Sequence, residues 1–461
     1  MAHSFSQLRQ TYPEFRYERA DFHETPEGLH LEFHFRMGEI RFAPTHFIPK
    51  PESGWALDPA SPLVRRLAFC IGMVELISYW KSACPPRVIV EAGPLSAGEI
   101  SWWRKLYYLG LGEFFYTNGI QVSSEEFLHL ASLETAEPAP IAYRLSREGS
   151  HPTLIPIGGG KDSVVSLEIL AASHATNRLL FINASTASLR CATTAGYGPG
   201  QMARTKRTIH PRLLALNAEG FLNGHTPFSA MLAFVSVLVA ALHGCTRIAL
   251  SNESSANEST VPGLPVNHQY SKTFEFEADF QRYVRTWLTP DIHYFSLLRP
   301  VNELQISGLL CHRPQYLADF RSCNVGSKQG VWCGQCAKCV FVAAMLSPFL
   351  DAAAIAGVFG TNPLARPELL PLLKELTGLA ANKPFECVGT VDEVRAALVL
   401  AAHRSGSEPP PALIAHMFTH HAELLPSLES SRALLREWNP EHAVPADLLP
   451  ILQAEVESLR V

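Results

Sequence analysis

The sequence has no apolar run long enough to cross a bilayer. Its most apolar window, Ala230–Leu242, covers 13 residues with Ser236 inside it, whereas a membrane helix needs about 20. That window reads as a buried helix, and no membrane insertion is expected. Neither sign of charge dominates, with 38 Lys and Arg against 43 Asp and Glu and a net charge of −5. Binding a phosphate backbone needs a basic surface, so nucleic acid is not an expected partner. Charged residues are scarce at 18%, and Gly and Pro follow no period, which excludes disorder, collagen and coiled coil. The opening Met1-Ala2-His3-Ser4 lacks a basic stretch leading into an apolar run, so no secretory signal is expected and the protein is assigned to the cytoplasm. The ten cysteines do not form a spread framework; four crowd between Cys323 and Cys339, a pattern of reduced, metal-binding thiols rather than disulfides.

What is present suffices for large cores: 461 residues at 47% apolar content predict two or three folding units. Residues 1–148 read as an N-terminal α+β part. Leu29 to Phe35 alternate with period two, and Ile40-Arg41-Phe42 follows the turn Met37-Gly38-Glu39, which predicts a hairpin. Val64–Trp80 recurs at helical spacing, and Arg87–Val90 reads as a short strand. The aromatic stretch from Trp102 to Tyr116 reads as a packed helix face, with a substrate-stacking surface as the alternative. Glu134–Pro140 and Glu148-Gly149-Ser150 mark a boundary. Residues 149–345 alternate short apolar strands (Thr153–Ile157, Leu179–Ile182, Arg247–Leu250) with helices, the largest at Phe228–His243. Such alternation predicts an α/β fold with a doubly wound parallel sheet and ligands at the carboxyl ends of its strands. Residues 346–461 read as a helical tail, with helices at Leu369–Leu379, Val391–His403, Ala412–Leu425 and Leu448–Leu459.

Between the first strand and helix of the middle part stands Gly158-Gly159-Gly160-Lys161-Asp162-Ser163. Backbone N–H groups at such a helix start can hold phosphate, and glycines let the chain approach an anion closely. A Walker loop is excluded, because Asp162 follows the lysine and Ile155 stands at the first glycine position. A dinucleotide fingerprint is excluded as well, because Ser163 replaces its third glycine. The segment resembles the GGxDS loop of the PP-loop ATP pyrophosphatase superfamily. That resemblance implies a HUP-like core that splits ATP into AMP and pyrophosphate. Gly158, Gly159, Gly160, Asp162 and Ser163 would then contact phosphate, Lys161 would balance the leaving charge, and Asn183, at the end of the second strand, would reach adenine or ribose. Ser251 and Asn252, closing the third strand, join the expected nucleotide contacts.

Cys323, Cys333, Cys336 and Cys339 are spaced C-x9-C-x2-C-x2-C. Two residues between thiolates allow one tight turn to present several sulfurs to a single ion, and four complete a tetrahedral zinc shell. An iron–sulfur cluster uses similar spacing and stays open as the alternative. The remaining six, which include Cys387, are scattered, and most of them read as small buried hydrophobes. A cysteine cluster after such a sheet resembles the 7-cyano-7-deazaguanine synthases, which leave residues 1–150 and the tail unaccounted for.

A closer resemblance covers most of the chain. The glycine loop, Ser251–Asn257, Val266–Lys272, Tyr294–Pro300, Arg321–Asn324, Trp332–Cys339 and Lys383–Thr390 together resemble the UDP-N-acetylmuramoyl-L-alanyl-L-glutamate epimerase family, the MurL type. This implies an isomerase of peptidoglycan precursor synthesis that converts the terminal L-glutamate of a UDP-linked muramoyl dipeptide to D-glutamate, using ATP and Mg²⁺. The chemistry is coherent. A carboxylate resists loss of its α-proton because the carbanion would sit beside an existing charge; adenylation removes that charge and lets preorganised donors hold an enolate. The acid/base candidates are Glu253, His268, Tyr270, Lys272 and His293; Lys161 and Asp162 count as catalytic through their part in the phosphate loop. Asn267, Lys272 and Arg299 are the expected substrate contacts, Arg and Lys suiting carboxylate or diphosphate oxygens. The rival readings are a PP-loop enzyme that amidates or thiolates a base or tRNA, and a nucleotide-binding regulator without turnover.

Overall fold

The computed structural model describes residues 3–133, 151–261, 266–268, 270–326 and 329–459. The expected boundaries at Glu134–Pro140 and Glu148–Ser150 lie outside these residues. Eleven strands are present among them: β1 Glu14–Glu24, β2 Gly28–Met37, β3 Ile40–Phe42, β4 Thr45–Pro49, β5 Arg87–Val90, β6 His129–Ser132, β7 Thr153–Pro156, β8 Arg178–Ile182, β9 Met202–Thr208, β10 Arg247–Leu250 and β11 His293–Ser296. They run in one path, β11-β10-β7-β8-β9-β4-β2-β1-β5-β6, with β3 paired on β2. From β11 to β9 all pairs are parallel. At β9 the sheet turns antiparallel, pairing Thr45–Phe47 with Thr208–Lys206, and continues through β4, β2 and β1. The α/β expectation therefore holds, but the sheet is mixed: the parallel half runs unbroken into the N-terminal strands.

The β2–β3 hairpin forms as its alternation predicts, with Phe35 opposite Phe42, Met37 opposite Ile40, and Gly38 at φ +57° in the turn. The pleat sends Leu29, Leu31, Phe33, Phe35 and Met37 to one buried face. The helix Pro62–Trp80 packs there. Ser61 caps it by accepting from Val64 N, and Pro62 occupies its first turn, where a missing N–H does no harm. Glu75, buried in that helix, clamps it across the seam of the sheet. Its carboxylate meets His46 Nε2 of β4 at 2.7 Å and accepts from Arg207 Nη2 of β9 at 2.7 Å. Burial would raise the Glu75 pKa, yet these partners hold it at about 2. The aromatic stretch packs into the core except for exposed Tyr116: Trp103 stacks on Phe234, and Trp102 packs against Phe234 and Tyr283.

In the middle part, β7 is buried at every residue, as befits a central parallel strand. The helix Phe228–His243 forms over its expected span and ends on Gly244 in the left-handed conformation. The tail supplies helices at Leu370–Leu376, Val391–Ser405, Ala412–His420 and Leu449–Glu457, near their expected places. Ala337–Leu346, Ala352–Phe359 and Leu428–Leu434 are further helices that the pattern had not marked. Among the described residues no helix is long and apolar enough to cross a membrane.

The strand order fixes where a ligand can sit. The chain leaves β7 for β8 and β9 on one side, then returns to place β10 and β11 on the other. The connections thus diverge beside β7, and a crevice opens at its carboxyl end.

Candidate active site

A cleft of about 530 Å³ occupies that crevice, a volume within the range of small-molecule sites. Pro156 of β7 with Ile157 after it, Leu180 and Ile182 of β8, and Leu250 of β10 with Ser251 after it form its floor. The glycine loop forms one wall through Gly158, Gly160, Asp162 and Ser163. The helix Lys161–Ile169 starts inside the loop, with Gly160 as its N-cap and no side chain capping it. Its first N–H groups are thus left to an incoming anion, toward which the helix dipole also points. Ser163 Oγ accepts from Gly158 N at 3.1 Å and braces the bend. Gly159 sits at φ +89°, and a Cβ there would lie 2.6 Å from Ser188 N; no other residue fits that packing.

Beneath the loop, Lys161 is buried and ion-paired to both Asp162 and Glu303. Ligand oxygens of Asp162, Glu253 and Glu303 lie within 4.8 Å of one another. Burial and mutual repulsion raise the pKa of Glu253, and that of Glu303 to about 7. Burial disfavours charge on Asp162 too, but the Lys161 ammonium holds it below its ordinary range. A set of crowded carboxylates is a hard, all-oxygen donor set of the kind that suits Mg²⁺.

The lining of the cleft also carries His225, His268, Lys272 and Cys387. Lys272 Nζ donates to Cys387 Sγ at 3.1 Å. His268 hydrogen-bonds Cys387 with one edge and Glu113, through Nδ1, with the other. Burial would raise the Cys387 pKa; Lys272 and His268 bring it down to about 5. Burial would lower that of His268, and its bonds to Cys387 and Glu113 raise it to about 9. His225, half-buried, is lowered by desolvation and by the neighbouring His268 to about 4.

The cysteine cluster abuts the loop. Arg321 N donates to Gly159 O at 2.8 Å, and Arg321, Ser322 and Cys323 line the cleft. The four sulfurs converge, with Sγ–Sγ separations of 3.8 Å for Cys323–Cys336, 3.7 Å for Cys333–Cys339 and 3.5 Å for Cys336–Cys339. Four sulfurs at about 2.3 Å from one zinc ion stand about 3.8 Å apart. The donor set therefore fits a single tetrahedral ion, whereas the several irons of a cluster would hold thiolates farther apart.

Of the expected site residues, the structure brings Gly158, Gly160, Asp162, Ser163, Ser251, Asn252, Glu253, His268 and Lys272 to the cleft wall. Others lie elsewhere, for local reasons. Asn183 adopts φ +52° and spends its amide on the backbone of Arg207, donating to O at 3.0 Å and accepting from N at 2.9 Å. Arg299 is fully buried, paired to Glu277, and serves as scaffolding rather than a substrate contact. Tyr270 packs on Phe276 in the core. Asn267 donates to Ala256 O at 2.9 Å and is not on the cleft wall. His293 opens β11 beside Arg247, so it stands at the amino end of the sheet, away from the crevice. Glu303, Glu113, His225 and Cys387 were missed. Cys387 is not the small buried hydrophobe that its isolation suggested, and the only signal was its place in the Lys383–Thr390 run.

Comparison with known proteins agrees along the chain. Residues 6–297 match the model of the MurL N-terminal domain, and residues 319–429 that of the MurL C-terminal domain. A protein of Xanthomonas oryzae pv. oryzae named UDP-N-acetyl-alpha-D-muramoyl-L-alanyl-L-glutamate epimerase is 33% identical over 77% of this chain and 79% of its own. Relatives of the same name from Salinispora tropica and a Micromonospora species are 34% and 32% identical, covering 82% and 80% of this chain and 82% and 81% of theirs. No solved structure is detectably similar to the chain.

Proposed function

The chain belongs to the MurL family, and from that premise we propose that it inverts the terminal L-glutamate of UDP-N-acetylmuramoyl-L-alanyl-L-glutamate, driven by conversion of ATP to AMP and pyrophosphate. The observation that carries this reading is the sharing of one cleft by two dissimilar sets of residues. One is an uncapped helix start behind three glycines, suited to phosphate; the other is a cluster of proton-transfer groups, Lys272, His268 and Cys387. An ordinary kinase needs only the first.

The glutamate carboxylate attacks the α-phosphorus, forming an acyl-phosphate bond while the bond to pyrophosphate breaks. N–H groups of the first helical turn and the Lys161 ammonium take up the charge of the departing diphosphate. Asp162, Glu253 and Glu303 would hold Mg²⁺, which supplies further neutralisation of phosphate charge when bound. With its carboxyl neutralised, the glutamate loses its α-proton to a base of that second set, and a proton added to the other face inverts the centre. Water then cleaves the acyl-adenylate, releasing AMP and the D-glutamyl product.

The test is pyrophosphate release in the presence of ATP, Mg²⁺ and the L-glutamyl substrate. Release that requires the muramoyl dipeptide and falls about 10²-fold or more in Asp162→Asn supports the reading. Formation of ADP, or release indifferent to Asp162, overturns it.

A further inference from the structure

We propose that Cys387 Sγ is the base that takes the α-proton of the activated glutamyl residue, with Lys272 and His268 as the residues that position it. The inference rests on the function proposed above and names the group on which its inversion step turns.

Geometry carries it. Cys387 lines the same cleft as the glycine loop. Its sulfur receives Lys272 Nζ at 3.1 Å and a hydrogen bond from His268. Both partners are themselves fixed. The Lys272 carbonyl accepts from Arg299 Nη2 at 2.5 Å, and His268 is bonded to Glu113. Three cations act on this sulfur, Lys272 on a 3-10 turn, His268 on the preceding loop, and Lys338 on the helix Ala337–Leu346, while the carboxyls of Glu113, Glu253 and Glu386 stand beside those cations. The other cysteines outside the cluster provide the contrast. Cys70 and Cys191 are buried and Cys311 is half-buried, and desolvation pushes their thiols up to about 11, 12 and 12. A thiol needing only to fill space would resemble them. The rival candidates are placed less well: Tyr270 faces the core, His293 stands at the far end of β11, and Glu253 belongs to the carboxylate group under the loop.

The step balances without any further reagent. The Cα–H bond breaks and its electron pair passes into the carbonyl of the activated carboxyl, giving an enolate, while an S–H bond forms at Cys387. A solvent-exchangeable proton then adds to the opposite face of Cα as the carbonyl re-forms. The thiol returns its proton to solvent through the cleft, so one proton enters for each that leaves.

The test separates activation from inversion. Wild type and Cys387→Ser are each mixed with ATP, Mg²⁺ and UDP-N-acetylmuramoyl-L-alanyl-L-glutamate in deuterated water. The expected result is a pyrophosphate burst from both, with inversion and α-deuterium incorporation slowed about 10²–10⁴-fold in the variant. A serine variant that inverts at the wild-type rate overturns the proposal and leaves the family function standing. If wild type itself neither inverts nor releases pyrophosphate, the function falls and the proposal with it. Should Cys387→Ser fail to fold, iodoacetamide replaces it: modification mapped to Cys387 that abolishes inversion but spares the burst supports the base, and modified protein that still inverts refutes it. In Lys272→Met the alkylation rate should need higher pH, a shift that a merely structural lysine would not cause.

Discussion

Arg299 Nη2 lies 3.0 Å from Glu277 Oε2, with both side chains out of contact with water. The same guanidinium donates to the carbonyls of Glu253 at 2.6 Å and Lys272 at 2.5 Å. One buried ion pair thus fixes the backbone of two residues that line the cleft. Removing one partner of such a pair leaves an uncompensated charge, at about 3–5 kcal/mol. Arg299→Met should lower urea-unfolding stability by that order and abolish inversion, because Glu253 and Lys272 lose their anchor. A variant as stable as wild type would contradict the scaffold role and return Arg299 to the substrate contacts.

The glycine loop offers a paired test. Gly159 combines φ +89° with a Cβ position 2.6 Å from Ser188 N, while Gly158 has its nearest neighbour at 3.9 Å. Gly159→Ala should lose about 1–3 kcal/mol and weaken ATP binding, measured by calorimetry. Gly158→Ala should keep its melting temperature. Equal effects on stability would argue against the tight seat of Gly159 on the helix Thr186–Thr194.

How much of this was legible beforehand differed by residue. The loop and its flanking strand and helix were readable because their signals are local: three glycines, an apolar run before, helical spacing after. The strand β1 was not, since only Phe15 and Tyr17 of its eleven residues are buried and its outer half is polar. Arg299 looked like a ligand because sequence shows charge but not the Glu277 that neutralises it 22 residues away. His293 was placed after the third strand, yet which end of β11 it occupies decides its use. Cys387 was invisible for the same reason: its partner Lys272 is 115 residues earlier in the chain, and only folding turns an isolated thiol into a charged one.

Glu303 gives a pH test with a definite sign. Its pKa is raised from 4.5 to about 7, chiefly by burial. Between those values the folded state holds a proton that the unfolded state has lost, so this residue's contribution to stability declines as pH rises through the window. Wild type should lose stability relative to Glu303→Gln between pH 5 and pH 7, by on the order of 1–3 kcal/mol. Mg²⁺ should reduce the difference. A gap that is constant with pH would show that Glu303 is already ionised.

The cysteine cluster should hold one zinc ion per chain, read by elemental analysis of purified protein. Cys336→Ser should lose the metal, and since Arg321 N reaches Gly159 O from the same segment, it should also raise the KM for ATP. Full zinc content in that variant would contradict the four-thiolate site.

The most direct test of the account is the configuration and isotope content of the product. The protein is incubated with ATP, Mg²⁺ and UDP-N-acetylmuramoyl-L-alanyl-L-glutamate in deuterated water, and the glutamate is then released and resolved. The account predicts D-glutamate bearing deuterium at Cα, with AMP and pyrophosphate formed alongside. L-glutamate of unchanged configuration, or D-glutamate that retains its original α-hydrogen, would contradict it.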